Sequence, residues 1–107
     1  MTKSIALLKL FLIFFFSFLN SSNAYANWEP AKKGDKIILI RHSKAPGTGD
    51  PKGFKLNDCK TQRNLSKEGI EQSKNIGSFF SRNKIPIDKV LSSEWCRCKD
   101  TGIIAFC

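Results

Sequence analysis

Apolar and polar residues fall in blocks along the chain, and the spacing within each block predicts its element. Ile5 to Leu19 is an apolar run broken by a charge only at Lys9, which leaves Leu10 to Leu19 as a ten-residue uncharged core. Lys3 precedes the run, polar residues Asn20 to Asn23 follow it, and Ala24-Tyr25-Ala26 closes it. A basic start, a short apolar core and an A-x-A site predict a secretory signal peptide over residues 1–26, cleaved after Ala26. A retained membrane anchor would need about 20 apolar residues, more than this run supplies. Residues 27–107 are therefore expected in the periplasm or outside the cell, with no stable membrane anchor after cleavage.

Beyond Gly34, Lys36 leads into Ile37-Ile38-Leu39-Ile40, the continuous apolar pattern of a parallel strand buried on both faces. Ser43 to Gln62 then carries Pro46, Gly47, Gly49, Pro51 and Gly53, too many breakers for regular structure, and reads as a long loop. Ser66 offers a helix N-cap with Glu68 in the first turn, although Gly69 stands where a capping box would place Glu or Gln. Gly69, Ile70, Ser73, Ile76, Gly77 and Phe80 fall at helical spacing on one face, with Lys67, Glu71, Lys74 and Asn75 outward. Asn83 and Pro86 end that helix, and Ile87 to Leu91 supplies a second short strand. Another helix is expected from near Trp95 onward. Strand, helix and strand in this order predict a right-handed parallel βαβ unit, and hence an α/β fold.

Charge narrows the partners. Eighteen Lys and Arg stand against nine Asp and Glu, a net charge of +9, and only Lys3 and Lys9 belong to the predicted signal. Such a balance favours anionic ligands: phosphorylated small molecules, lipid head groups or nucleic acid. No basic repeat interleaved with aromatics is present, so no nucleic acid partner is expected. In a parallel sheet, ligands bind beyond the carboxyl ends of the strands. Arg41-His42 leaves the first predicted strand there, and Ser92-Ser93 through Arg97 leaves the second. An arginine fork matches the oxygens of a phosphoryl group two at a time. A neutral imidazole nitrogen can attack phosphorus once such cations offset the charge that repels it. His42 is the chain's only histidine.

The segments LIRHSKAPG, RNLSKEGIEQS and VLSSEWCRCKDTG, in this order, resemble the successive motifs of the histidine phosphatase (phosphoglycerate mutase-like) superfamily, and the likeness runs from Lys36 onward. The family's R-H-G corresponds to Arg41-His42-Ser43, with serine in place of glycine. Its L-[ST]-x-x-G-x-x-Q opening corresponds to Leu65 through Gln72, and its S-S-x-x-x-R-x-x-x-T-A to Ser92 through Thr101, followed by Gly102 in place of alanine. The resemblance implies the N-terminal portion of a three-layer αβα fold over residues 27–107. It implies a phosphomonoesterase working through phosphohistidine, with His42 as nucleophile, and Arg41, Arg97 and Ser92 around the phosphate. Capping of the next helix would explain one of Ser92 and Ser93 equally well. No cofactor is implied. The export signal, the Gly-Thr-Gly-Asp-Pro loop and Asp58-Cys59 most resemble periplasmic members of unsettled substrate, including those proposed to dephosphorylate lipopolysaccharide core sugars. The expected substrate is a phosphorylated small molecule or glycan.

Competing motifs fare worse. Gly47-Thr48-Gly49-Asp50-Pro51-Lys52-Gly53 places its third glycine one residue late for a dinucleotide fingerprint, and no helix opens there. Cys96-Arg97-Cys98 lacks C-x-x-C spacing, and one histidine is too few for a zinc site, so no metal is expected. An exported chain permits disulfides, and with both predicted strands ending at one sheet edge, Cys59 should pair with Cys96 or Cys98. The family also needs a second histidine and an acidic proton donor. Asp50, Asp58 and Glu94 are the acids near the predicted edge, and nothing in the sequence fixes the loop that holds the first two. The alternative expectation is thus a non-catalytic fragment or pseudoenzyme that at most binds phosphorylated ligands.

Overall fold

A computed structural model describes residues 26–107 and the isolated positions 5 and 9. The predicted signal core and its A-x-A site therefore lie outside the described residues, apart from Ala26. Among the described residues, three helices follow one another: α1 (Glu29–Lys32), α2 (Lys67–Arg82) and α3 (Cys96–Phe106), with a 3-10 turn at Cys59–Thr61 before α2. None is long and apolar enough to cross a membrane.

The expected α/β architecture, an αβα fold around a parallel βαβ core, is overturned: the described part is helical and contains no strand. Residues 36–40 and 87–91 carry the apolar composition of buried strands, but no backbone hydrogen bond joins them to each other or to a third segment. A strand exists only through its ladder, because the backbone donors and acceptors of an extended segment cannot satisfy one another. Ile37 and Leu39 are each 91% exposed and Leu91 81% exposed, so neither segment is covered on both faces as parallel strands require. The one bridge in the described part is a short antiparallel contact between Lys55 and Asp58.

α2 forms where its sequence predicts. Ser66 is extended, and its Oγ accepts a bond from the Gly69 N–H at 3.1 Å. The helix ends at Asn83, whose Nδ2 donates to the Phe79 carbonyl at 2.8 Å. Lys84 then turns left-handed (φ 54°), its N–H reaching Ser81 O and that of Ile85 reaching Phe80 O. These crossed bonds are a Schellman cap, closed by the buried pair Phe80 and Ile85.

The core lies between α2 and α3. Gly77 lets the backbones close in, since a Cβ there would come within 2.1 Å of the Ala105 carbonyl oxygen. Phe80 meets Phe106 edge-on at 5.0 Å between ring centroids, and Trp28, just before α1, meets Phe79 at the same distance. Cys59 and Cys96 form a disulfide that ties the loop to the first turn of α3, one of the two pairings expected. Cys98 and Cys107 are free thiols.

Candidate functional site

The segment after the predicted first strand is held between the two long helices. Ser43 is 1% exposed; its N–H donates to Thr101 Oγ1 at 3.0 Å, and its hydroxyl lies 2.7 Å from that of Ser73. Lys44 follows on the α2 side: its N–H donates to Gln72 Oε1 at 2.9 Å, its carbonyl accepts from Ser66 N–H at 3.0 Å, and its ammonium pairs with Glu68. Gly69 allows this approach, because a Cβ at that position would lie 2.1 Å from the Lys44 carbonyl oxygen. The serine that stands where the resembled family has glycine thus finds a polar partner, Ser73, rather than an apolar wall.

His42 projects from this anchored segment, partly buried. Its Nδ1 lies 2.7 Å from the Ser43 carbonyl oxygen. A carbonyl oxygen only accepts, so the proton of the neutral ring belongs on Nδ1 and the lone pair on Nε2. That is the tautomer a nucleophilic imidazole needs.

Arg97 sits in the first turn of α3, and its carbonyl accepts the Thr101 hydroxyl that also caps Ser43 N–H, at 2.7 Å. Thr101, one helical turn from Arg97, is therefore the residue that bonds the neighbour of His42. The Arg97 side chain is 10% exposed and Nη1 meets both carboxylate oxygens of Asp50, at 3.0 and 3.2 Å, and the Arg63 carbonyl at 3.3 Å. Its face stacks on Trp95, 4.6 Å from the ring centroid. Desolvation pushes the Asp50 carboxyl upward, but the Arg63 N–H bond and the Arg97 guanidinium outweigh it and hold the group below its ordinary 3.8.

Arg41 and Ser92, also expected at the phosphate, are exposed. Ser92 Oγ donates to the neighbouring Ser93 carbonyl at 3.1 Å. Neither residue has a hydrogen bond to His42 or Arg97, and none joins His42 to Arg97; the link between those two segments runs from Ser43 N–H to Thr101 Oγ1 and from that hydroxyl to the Arg97 backbone carbonyl. No cluster of His, Cys, Asp and Glu among the described residues converges as a metal site.

The loop expected to be unfixed is held firmly. Arg63 Nε donates to Gly49 O at 2.7 Å, its Nη1 to Ala45 O, and its backbone N–H to Asp50 Oδ1 at 2.9 Å. Gln62 donates to the carbonyls of Lys55 and Leu56 and accepts from Cys96 N–H at 3.0 Å, capping a free donor at the start of α3. Sequence reasoning missed Arg63, Gln62 and Trp95 as supports. The one available signal was an uncompensated acid, Asp50, among glycines and prolines in a basic chain.

Grooves lie elsewhere. The larger, about 500 Å³, runs along the C-terminal halves of α2 and α3 beside Gly77, Arg82 and Ile104, and a second of about 150 Å³ lies between Val90 and Ile103. His42 and Arg97 line neither. No family model matches the chain, and neither the curated proteins nor the solved structures contain a match.

Proposed function

We propose that His42 and Arg97 form the phosphoryl-accepting site of a phosphomonoesterase acting through phosphohistidine on a phosphorylated small molecule or glycan outside the cytoplasm. The observation that carries this reading is the His42 ring, whose Nδ1 is held by the Ser43 carbonyl so that the lone pair lies on Nε2, on a segment bonded to Thr101, one turn of α3 from a nearly buried arginine. In the first step a bond forms between Nε2 and phosphorus while the phosphorus–ester oxygen bond breaks, and the leaving alkoxide takes a proton from solvent water. In the second, water attacks phosphorus and the N–P bond breaks. Arg97 offsets negative charge on the transferring group. The motif order R-H, L-S-x-x-G and S-S-x-x-x-R supports the same chemistry by resemblance.

A second reading, phosphate binding without steady turnover, is favoured by the acids. Asp50 is the carboxylate at Arg97, yet it is held ionised by that arginine and by the Arg63 amide. A general acid must carry a proton at working pH, and Asp50 does not. Asp58 is used as the cap of the 3-10 turn, accepting from Lys60 N–H at 3.2 Å.

p-Nitrophenyl phosphate separates the two, because nitrophenolate leaves without protonation. The purified full-length chain should release a burst of about one equivalent of nitrophenolate, lost in His42→Ala, while an alkyl phosphomonoester is hydrolysed far more slowly. Absence of any His42-dependent release would overturn the phosphohistidine reading. Export forms part of the proposal, and intact mass of the secreted material should show a chain beginning at Asn27.

A further inference from the structure

The hydrogen bonds of Arg97 are distributed unevenly over its guanidinium. Nη1 carries every bond the guanidinium makes: both oxygens of Asp50 and the Arg63 carbonyl. Nε is buried without a partner, and Nη2 has no hydrogen bond among the described residues. A buried N–H left unpaired costs free energy, so an acceptor on that edge would be gained at an unusually favourable place. Nε and Nη2 together make one of the two-donor edges of the fork, spaced for two oxygens of one tetrahedral oxyanion.

Everything around the guanidinium fixes which edge is left without a partner. Trp95 covers its face, and Phe54 packs on Trp95 with ring centroids 4.8 Å apart. The Cys59–Cys96 disulfide anchors the backbone next to it. Asp50 holds the remaining corner. Its loop reaches that place through left-handed backbone at Gly47 and Gly49 (φ 86° and 65°), stitched by Arg63 to the carbonyls of Ala45 and Gly49.

We propose that Asp50 is a positioning residue: it locks Arg97 by Nη1 so that the unpartnered Nε–Nη2 edge is kept in one orientation for one phosphoryl group. This rests on the reading of Arg97 as a phosphate ligand. A positioned edge binds better than a mobile one because the rotamer entropy of the arginine is already lost in the free protein.

The role makes a prediction of unusual sign. Asp50→Asn removes a negative charge beside an anion site. If Asp50 were a bystander, affinity for phosphate would rise. As a positioning residue its loss weakens binding, by about tenfold if one charged hydrogen bond to the ligand is forfeited.

The test is calorimetric titration of the full-length chain with inorganic phosphate, comparing wild type, Asp50→Asn, Arg97→Lys and the double variant, with a thermal melt to establish that each is folded. The inference expects weaker binding in Asp50→Asn and no further effect of that change in the Arg97→Lys background, since Asp50 acts through Arg97. Wild-type binding with equal or tighter binding by Asp50→Asn overturns the positioning role and leaves Arg97 as a ligand. No binding by wild type overturns the site itself and the inference with it. Should Asp50→Asn fail to fold, nitrogen-labelled wild-type protein decides the matter: on adding phosphate the Arg97 Nε–H resonance should shift, and an unmoved Nε resonance alongside measured binding contradicts the proposal.

Discussion

Asp50 and Arg97, 47 positions apart in the chain, meet with both side chains at least nine-tenths buried, at 3.0 and 3.2 Å from Nη1 to the two carboxylate oxygens. The contact closes the long glycine-rich loop onto the start of α3. It is also the point where charge, loop and candidate site come together.

The first expected outcome concerns pH. The Asp50 carboxyl is held below its ordinary 3.8 in the folded protein, so the unfolded chain binds its proton at higher pH than the folded one. Its contribution to stability is therefore complete above 3.8 and is lost as pH falls through the lower folded-state value. Urea midpoints measured on acidification should drop over that window in wild type, and the drop should be shallower in Asp50→Asn. Parallel profiles for the two proteins would show that the pair does not couple to folding.

Lys84 marks a place where the sequence works against the local fold. Its left-handed φ of 54° at the end of α2 costs a side-chain-bearing residue about 1 kcal/mol or more. Lys84→Gly should raise stability by about 0.5–1 kcal/mol, the gain being trimmed by the greater freedom of glycine in the unfolded chain. Chemical denaturation reads the difference directly, and a loss of stability would contradict the Schellman cap.

Gly77→Ala should do the opposite. Alanine improves intrinsic helix propensity by about 1 kcal/mol, yet its Cβ would stand 2.1 Å from the Ala105 carbonyl oxygen. Forced separation of α2 and α3 costs about 1–3 kcal/mol, so a net loss is expected in the same denaturation assay. A stabilised variant would mean that the helices do not approach so closely.

The disulfide has two readouts. Alkylation of oxidised protein should modify exposed Cys107 fastest and Cys98 more slowly, leaving Cys59 and Cys96 untouched. Replacing both paired cysteines by serine should cost about 4 kcal/mol in the chain-entropy model for a bridge spanning 37 positions. Alkylated Cys59 in oxidised protein would refute the pairing.

Local signals were legible in the sequence and long-range ones were not. Ser66 as cap and Asn83 as stop follow from side chains that act on their own few neighbours, whereas the helix starting after Trp95 has no local side-chain cap and takes one from Gln62, 34 positions away. Cys59 was expected opposite Cys96 or Cys98, and the backbone selects Cys96. The strands failed for the converse reason: Ile37 to Ile40 and Ile87 to Leu91 have the right composition, but a ladder depends on a partner that composition does not specify. Nothing near Asp50 in sequence shows that it is fixed, because its partners, Arg63 and Arg97, lie 13 and 47 positions away. The serine at 43, where the motif has glycine, is accounted for by Ser73, 30 positions along the chain and 2.7 Å away.

The central claim is that His42 Nε2 accepts a phosphoryl group, and its most direct measurement is the site of covalent modification. The purified chain is mixed with p-nitrophenyl phosphate, quenched in alkali where a phosphoramidate survives, and digested for peptide mass analysis. The peptide containing His42 should gain one phosphoryl group that is removed by mild acid, and the gain should vanish in His42→Ala and fall in Arg97→Lys. An unmodified His42 peptide, or an acid-stable phosphoryl group on another residue, would contradict it.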